Sequence, residues 1–173
     1  MLCLQEVDIF HFCVTLKKYF DGSDKSKTLY PYKELFTALL IFVSPIAASS
    51  ETIRIEFTEF DTYSMEIAHI DIGDTVEWLP TAEGHNVEFI ITPRTVSLPE
   101  KSKVNEFYSL VFEEPGIYVY GCTPHLNTGM LGLIVVGNDF HNIEDITQAD
   151  LSPVAKSVLK RLMKKAKADF ENS

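Results

Sequence analysis

The stretch Tyr118-Val-Tyr-Gly-Cys-Thr-Pro-His-Leu-Asn-Thr-Gly-Met-Leu-Gly132 decides how the chain is read. An apolar β-type run enters it at residues 116–120 and another leaves it at residues 131–136. Between them Cys122, His125 and Met130 share one loop. Moving outward, the same strand-and-turn grammar continues. Ile53, Ile55 and Phe57 alternate with Arg54, Glu56 and Thr58, which is the period of a half-buried strand. Ile70 and Ile72 end a second run, and Gly73-Asp74 turns it into Thr75-Val76-Glu77-Trp78, which Pro80 stops. Residues 86–91 form a further short strand, followed by a polar connection with Pro93, Pro99 and Lys101. Residues 105–112 form the next, and Glu114-Pro115-Gly116 turns it into the run before Cys122. Short strands punctuated by Pro and Gly, with no helical period, predict an all-β Greek-key sandwich or barrel over residues 51–137.

The remainder, residues 138–173, changes character and predicts two helices. Asn142-Ile-Glu-Asp145 resembles a cap opening a short helix. Ser152-Pro153 opens a longer one, with Ser as N-cap and Pro at the first helical position. Val154, Val158, Leu162 and Ala166 form one apolar ridge, and Ala155, Leu159 and Met163 form the next. Lys156, Lys160, Arg161, Lys164, Lys165 and Lys167 lie mostly on the other side. This pattern reads as a helix packed on the sandwich with its lysines in water. A membrane-surface or partner helix is the alternative, and the ridge makes it unnecessary.

Residues 1–50 read as an N-terminal extension and signal segment that the mature protein loses. A lysine, an apolar run from Leu35 to Val43 and small residues at Ala47, Ala48, Ser49 and Ser50 have the outline of a secretory signal, with cleavage expected between Ala48 and Ser50. The apolar run falls well short of the roughly 20 residues a membrane helix needs. The segment Met1–Tyr30 exceeds an ordinary signal n-region. Either translation is assigned too far upstream, or a cytoplasmic extension makes the apolar run an uncleaved anchor. The short run favours the former.

Charge is unevenly distributed. Residues 51–150 carry four basic and eighteen acidic side chains, whereas residues 151–173 carry six basic and two acidic ones. The net charge of −10 offers no basic excess for nucleic acid. Without its first fifty residues the chain keeps one cysteine, Cys122, and can form no internal disulfide. A lone thiol in an oxidising compartment needs burial or ligation.

Thiolate, imidazole and thioether on one loop, with a second imidazole from elsewhere, are the donor set of a type 1 copper site. His85, in Glu-Gly-His-Asn-Val, is the candidate for that second imidazole. Two imidazoles and a thiolate near a plane, with a long axial thioether, suit both Cu(I) and Cu(II). Singly, Cys122 and Met130 would be read as core fillers and the histidines as hydrogen-bonded or surface groups. It is the conjunction that points to metal. Zinc competes, but its closed sites rarely use Met. Around the candidate ligands, Asn86 and Thr123 are placed to link the two loops, and Pro124 removes a backbone donor near the sulfur. His69 and His141 lack such company and read as structural or solvent-facing.

The Cys-x2-His-x4-Met spacing at Cys122, His125 and Met130, the Gly84-His85-Asn86-Val87 element and the stretch from Lys101 to Tyr108 resemble the cupredoxins, the pseudoazurins among them. The resemblance covers about residues 51–168. It implies an eight-stranded Greek-key sandwich with two C-terminal helices, and one copper ion held by His85, Cys122, His125 and Met130. It also implies a periplasmic one-electron carrier with the His125 edge as electron port, and Met65 falls near that port. Departures exist. The segments between Met65 and Gly73 and between Ile91 and Glu100 are short, and Gly121 stands where a lysine usually precedes the Cys. The resemblance further implies a copper nitrite reductase with an acidic docking face as partner. An acidic carrier would be repelled by such a face. The expected transient partners are therefore a c-type cytochrome, an oxidase or a nitrite reductase with a more basic face. A monomer and no enzyme activity of its own are expected, since five histidines are too few for a multicopper oxidase. A copper-delivery or storage protein on the same fold is the alternative, and a metal-free interaction module the third reading.

Overall fold

The computed structural model describes residues 49–172. The expected signal segment, Cys3 and Cys13 lie outside these residues. Seven strands are present: β1 (Thr52–Glu56), β2 (Ile67–Ile70), β3 (Thr75–Leu79), β4 (Glu88–Ile91), β5 (Tyr108–Val111), β6 (Gly116–Gly121) and β7 (Leu131–Val136). Two helices follow, α1 (Ile143–Thr147) and α2 (Pro153–Glu171). One sheet has the order β1-β3-β5 and the other β2-β7-β6-β4. Each sheet has one parallel pair, β1 with β3 and β2 with β7, and the remaining pairs are antiparallel.

The expected choice between sandwich and barrel resolves to a sandwich: among the described residues the two sheets do not join by strand pairing. The strand count is seven rather than the eight implied by resemblance, because the polar stretch from Thr92 to Phe107 forms no strand. β5 is correspondingly shorter than expected and begins at Tyr108.

Strands β6 and β7 are buried along their whole length. Their side chains alternate between two cores. Tyr118, Tyr120, Ile134 and Val136, with Phe89 of β4, face the other sheet, where they join Ile55, Val76, Trp78 and Phe112. Ile117, Val119, Leu133 and Val135 face the opposite way and join Ile146, Ala155, Leu159, Leu162 and Met163 of the helices. The two-sided burial explains why these strands read as unbroken apolar runs while β1 and β3 alternate. Each large side chain so buried contributes about 1.5–3 kcal/mol.

Helix α2 starts where Ser152 Oγ accepts a hydrogen bond from the Ala155 N–H, 3.2 Å away, with Pro153 following as the first helical residue. Its ridge of Ala155, Leu159, Leu162, Met163 and Ala166 is buried on the four-stranded sheet. Arg161 forms a bidentate pair with Glu66, at 3.0 and 2.8 Å. At α1 the expectation of a side-chain cap is corrected. Asn142 is buried, and its amide instead pairs with the backbone of Ile117, accepting from N–H at 3.0 Å and donating to C=O at 2.8 Å. A central strand's unpaired backbone outbids the helix end for that amide, because buried backbone groups must be satisfied.

The inner core is aromatic. Trp78 meets the Tyr120 ring edge-on at 5.2 Å, and Phe112 meets Tyr118 at 4.9 Å. Tyr120 lies across from Gly132 in the β6–β7 register. A Cβ at residue 132 would stand 2.2 Å from Tyr120 Cζ, so the glycine leaves the space that the tyrosine ring fills. Gly132→Ala is therefore expected to destabilise the fold by about 1–3 kcal/mol through overpacking. Denaturant unfolding of the metal-free protein, compared between wild type and variant, measures it.

Candidate metal centre

Cys122 continues the parity of Tyr118 and Tyr120, so its side chain enters the inner core at the end of β6. The chain then tightens into a 3₁₀ turn, Thr123–Thr128, with Pro124 in its first positions. Gly129, at φ 100°, closes it in a conformation that side-chain-bearing residues avoid. Backbone bonds stitch the loop to itself. The His125 N–H donates to Cys122 C=O at 3.0 Å, Met130 N–H to His125 C=O at 3.1 Å, and Cys122 N–H to Met130 C=O at 3.1 Å. The positions of the candidate ligands along the loop are thus fixed by the backbone.

His85 arrives from a separate segment that is held as firmly. Its carbonyl accepts from the Asn105 N–H at 2.9 Å, and the Asn105 side-chain oxygen accepts from the Gly84 N–H at 2.6 Å. Asn105 adopts φ 63°, a left-handed conformation that asparagine tolerates. Ser102 locks the next residue: its N–H donates to Val87 C=O and its hydroxyl accepts from Val87 N–H, both at 2.9 Å.

Asn86 ties the two segments together. Its oxygen accepts from Thr123 N–H at 2.8 Å, and its amide donates to Thr123 Oγ1 at 3.0 Å and to Ser102 C=O at 3.2 Å. Its own carbonyl accepts from the Tyr63 hydroxyl at 3.0 Å. Thr123 Oγ1 donates onward to Glu88 at 2.6 Å.

The result is a compact triangle of donors. His85 Nδ1 and His125 Nδ1 lie 3.1 Å apart, and Cys122 Sγ lies 3.7 and 3.6 Å from them. A triangle with these edges has its centre about 2.0 Å from every corner, close to the distances of about 2.0–2.3 Å at which imidazole and thiolate bind a tetrahedral first-row ion. The donor set therefore fits a metal in size as well as in type. Among the described residues these three form the one cluster of His, Cys, Asp or Glu donors convergent enough to hold an ion. His85 is buried, while His125 keeps about a quarter of its side chain (28%) in solvent. Met130 is buried where the loop re-enters β7. His69 pairs with Asn138 and His141 with Asp139, both away from the cluster.

Electrostatics suit a site built for a cation. Burial lowers the pKa of His85, and the neighbouring His125 pushes it the same way, so its imidazole is held neutral and free to ligate. Burial raises the thiol pKa of Cys122, against backbone hydrogen bonds from Asn86 and His125 that lower it. In the absence of a cation the thiolate is disfavoured; a metal at the triangle's centre supplies the missing charge.

Asp61 and Asn105 belong to this site but were not singled out in the sequence. Asp61 Oδ1 lies 3.5 Å from His125 Nδ1 and 3.8 Å from His85 Nε2. Neither residue sits at ligand spacing from a Cys or His. Only the Asn105 position, inside the stretch from Lys101 to Tyr108, carried any signal.

A two-sheet sandwich with a His–Cys–His triangle at the end of one sheet defines the cupredoxin class. The family model described as copper binding proteins, plastocyanin/azurin family, matches residues 48–137. The chain is 37% identical over 124 residues to a pseudoazurin of Paracoccus pantotrophus, covering 69% of this chain and 85% of the relative. It is 44% identical over 91 residues to a putative pseudoazurin of Rhizobium leguminosarum bv. viciae, covering 52% of this chain and 58% of that protein. The solved structure of a Sinorhizobium pseudoazurin superposes with a TM-score of 0.63 at 25% identity, covering 68% of this chain and 98% of that one. The chain belongs to the plastocyanin/azurin family of copper-binding proteins.

The Asn86 clamp yields a test independent of metal. Asn86→Ala strands the Ser102 C=O in the interior and removes the acceptor of the part-buried Thr123 N–H, and a stranded buried group costs about 1–3 kcal/mol. Unfolding of the metal-free variant should show a loss of at least about 2 kcal/mol relative to wild type. A loss no larger than that of an exposed substitution would mean that the clamp does not hold the two segments together.

Proposed function

We propose that this chain is a type 1 copper electron carrier that works in the periplasm as a monomer and has no enzymatic activity of its own. The observation that carries the reading is the donor triangle, sized for one metal ion and made of two imidazoles and a thiolate. Copper supplies a one-electron couple, Cu(II)/Cu(I), in such a site. In this reading His85, Cys122, His125 and Met130 would hold the copper ion. Met130 is supported by its burial and by the backbone bonds joining it to Cys122 and His125 at the loop's two ends.

The protein's contribution is to hold these side chains still. The self-bonded loop and the Asn86 clamp fix the donors before metal arrives, so little has to move when the charge of the centre changes by one. Pro124 keeps a further N–H away from the sulfur. The buried His85 and Cys122 exclude water, while the exposed edge of His125 gives electrons a short way out. With four ligands in place no position stays open for a substrate, which supports transfer rather than catalysis. No helix among the described residues is long and apolar enough to cross a membrane. Residues 32–50 serve as the export signal in this reading. The acidic β domain favours partners with a basic face, such as a c-type cytochrome, an oxidase or a nitrite reductase so charged.

The purified protein loaded with Cu(II) is expected to show an intense visible thiolate-to-copper band that bleaches on one-electron reduction. Cys122→Ser should abolish the band. Met130→Leu should retain it while raising the reduction potential, because a weak donor to Cu(II) is lost. A pale wild-type protein with only weak bands would overturn the assignment.

A further inference from the structure

The turn between β1 and β2 brings to the site a charge that the donor set does not require. Residues 58–62 fold back on themselves: Thr58 N–H donates to Thr62 C=O at 3.0 Å, and the two threonine hydroxyls bond at 2.7 Å. The flanks are seated on the site. Phe57 lies edge-on to the His85 ring at 5.9 Å, and Tyr63 donates to the Asn86 carbonyl at 3.0 Å. Phe57 and Tyr63 also bridge to each other. The turn is therefore held in place from both sides and from within.

At its tip Asp61 takes φ 52°, a conformation few non-glycine residues adopt. That geometry delivers its carboxylate to both imidazoles, 3.5 Å from His125 and 3.8 Å from His85. No Lys or Arg pairs with Asp61 among the described residues, so the charge is uncompensated when both imidazoles are neutral. The side chain is half exposed, as is Met65, and Phe60 beside it is almost fully exposed at 85%. The carboxylate thus meets the one partly exposed ligand, and the residue before it in the chain presents a bare aromatic ring.

We propose that the Thr58–Thr62 turn is the selectivity element of the electron port, with Asp61 drawing cationic redox partners to the His125 edge and Phe60 offering them an apolar contact. This rests on the copper reading above and deepens it, since it names the partner chemistry. The partner is one whose redox edge is apolar and ringed by Lys or Arg. The electron leaves Cu(I), which becomes Cu(II), and the partner is reduced by one electron. Asp61 takes no part in that exchange; it sets the local potential through which the partner approaches, and it favours the higher charge of Cu(II).

The test uses the copper-loaded full protein, reduced and then oxidised by two substitution-inert cobalt(III) complexes. One is the cation tris(phenanthroline)cobalt(III), the other the anion tris(oxalato)cobaltate(III). Any change in the protein's potential alters both driving forces in the same direction, so the ratio of the two rates isolates the field at the port. At low ionic strength Asp61→Asn is expected to lower the cation-to-anion rate ratio by about tenfold or more, an effect that fades as salt is added. The reduction potential should rise in the same variant. Asp61→Glu, which keeps the charge, should restore both the ratio and the potential, which a merely structural role would not predict. An unchanged ratio in Asp61→Asn, with its visible band intact, overturns the proposal and leaves the carrier reading standing. A changed band in that variant also overturns it, since Asp61 would then belong to the ligand set. Absence of the band from the wild-type protein overturns the copper reading and this proposal with it.

Discussion

The constraint on which the metal end depends is the two-sided burial of β6 and β7. Both faces of these strands are apolar, so side-chain shape fixes their register: a slip by one residue would push Tyr118 and Tyr120 out of the aromatic core and into the helix-facing layer. Tyr118 and Tyr120 face the aromatic core, so Cys122 must face it too. The thiol is thereby committed to the sandwich interior before any ligand is considered. Gly132 reinforces the register, since only a residue without Cβ can lie beneath the Tyr120 ring. Helix α2 supplies the other half of the constraint by covering the face that Ile117, Val119, Leu133 and Val135 present.

Given that commitment, the remaining problem is to bring a histidine from another segment to within bonding distance of a common centre. The protein solves it with asparagine amides, which can donate and accept at once. Asn86 binds the Cys loop and the Ser102 backbone, and Asn105 binds both sides of the Gly84–His85 peptide. None of these bonds involves a donor atom of the triangle, so the asparagine side chains leave those lone pairs to a metal. This division of labour lets the loop stay rigid whether the centre carries one charge or two, which is the demand electron transfer makes on a protein.

Most of this was legible in the sequence, and for a physical reason. Strand periodicity, the Cys-x2-His-x4-Met spacing and the Ser-Pro opening of α2 are local patterns, and local patterns survive in one dimension. The seven strands and the three clustered donors follow from them. What escaped notice depends on contacts distant in sequence. Asn142 has the position and chemistry of a helix cap, yet the backbone of Ile117, 25 residues away, claims its amide. Asp61 reads as one more acidic residue in an acidic domain. Only folding places it over the paired imidazoles, because the path of the β1–β2 turn is set by Phe57 and Tyr63 packing on His85 and Asn86.

The charge pattern and the packing at Gly121 are linked. Here the residue before the Cys carries no side chain, and a Cβ there would lie 2.8 Å from Leu126 and 3.0 Å from Leu131. A side chain at 121 would have to displace the end of the Leu126 side chain, and the glycine here leaves that point without a charge. At the imidazoles, the Thr58–Thr62 turn contributes a carboxylate. Acidic side chains dominate residues 51–150, and the surplus of lysine is confined to α2, whose lysines are exposed while Arg161 pairs with Glu66 beside β2. The acidic β domain and the basic helix thus carry opposite charge, and Asp61 is the carboxylate that the fold sets beside the His125 ring.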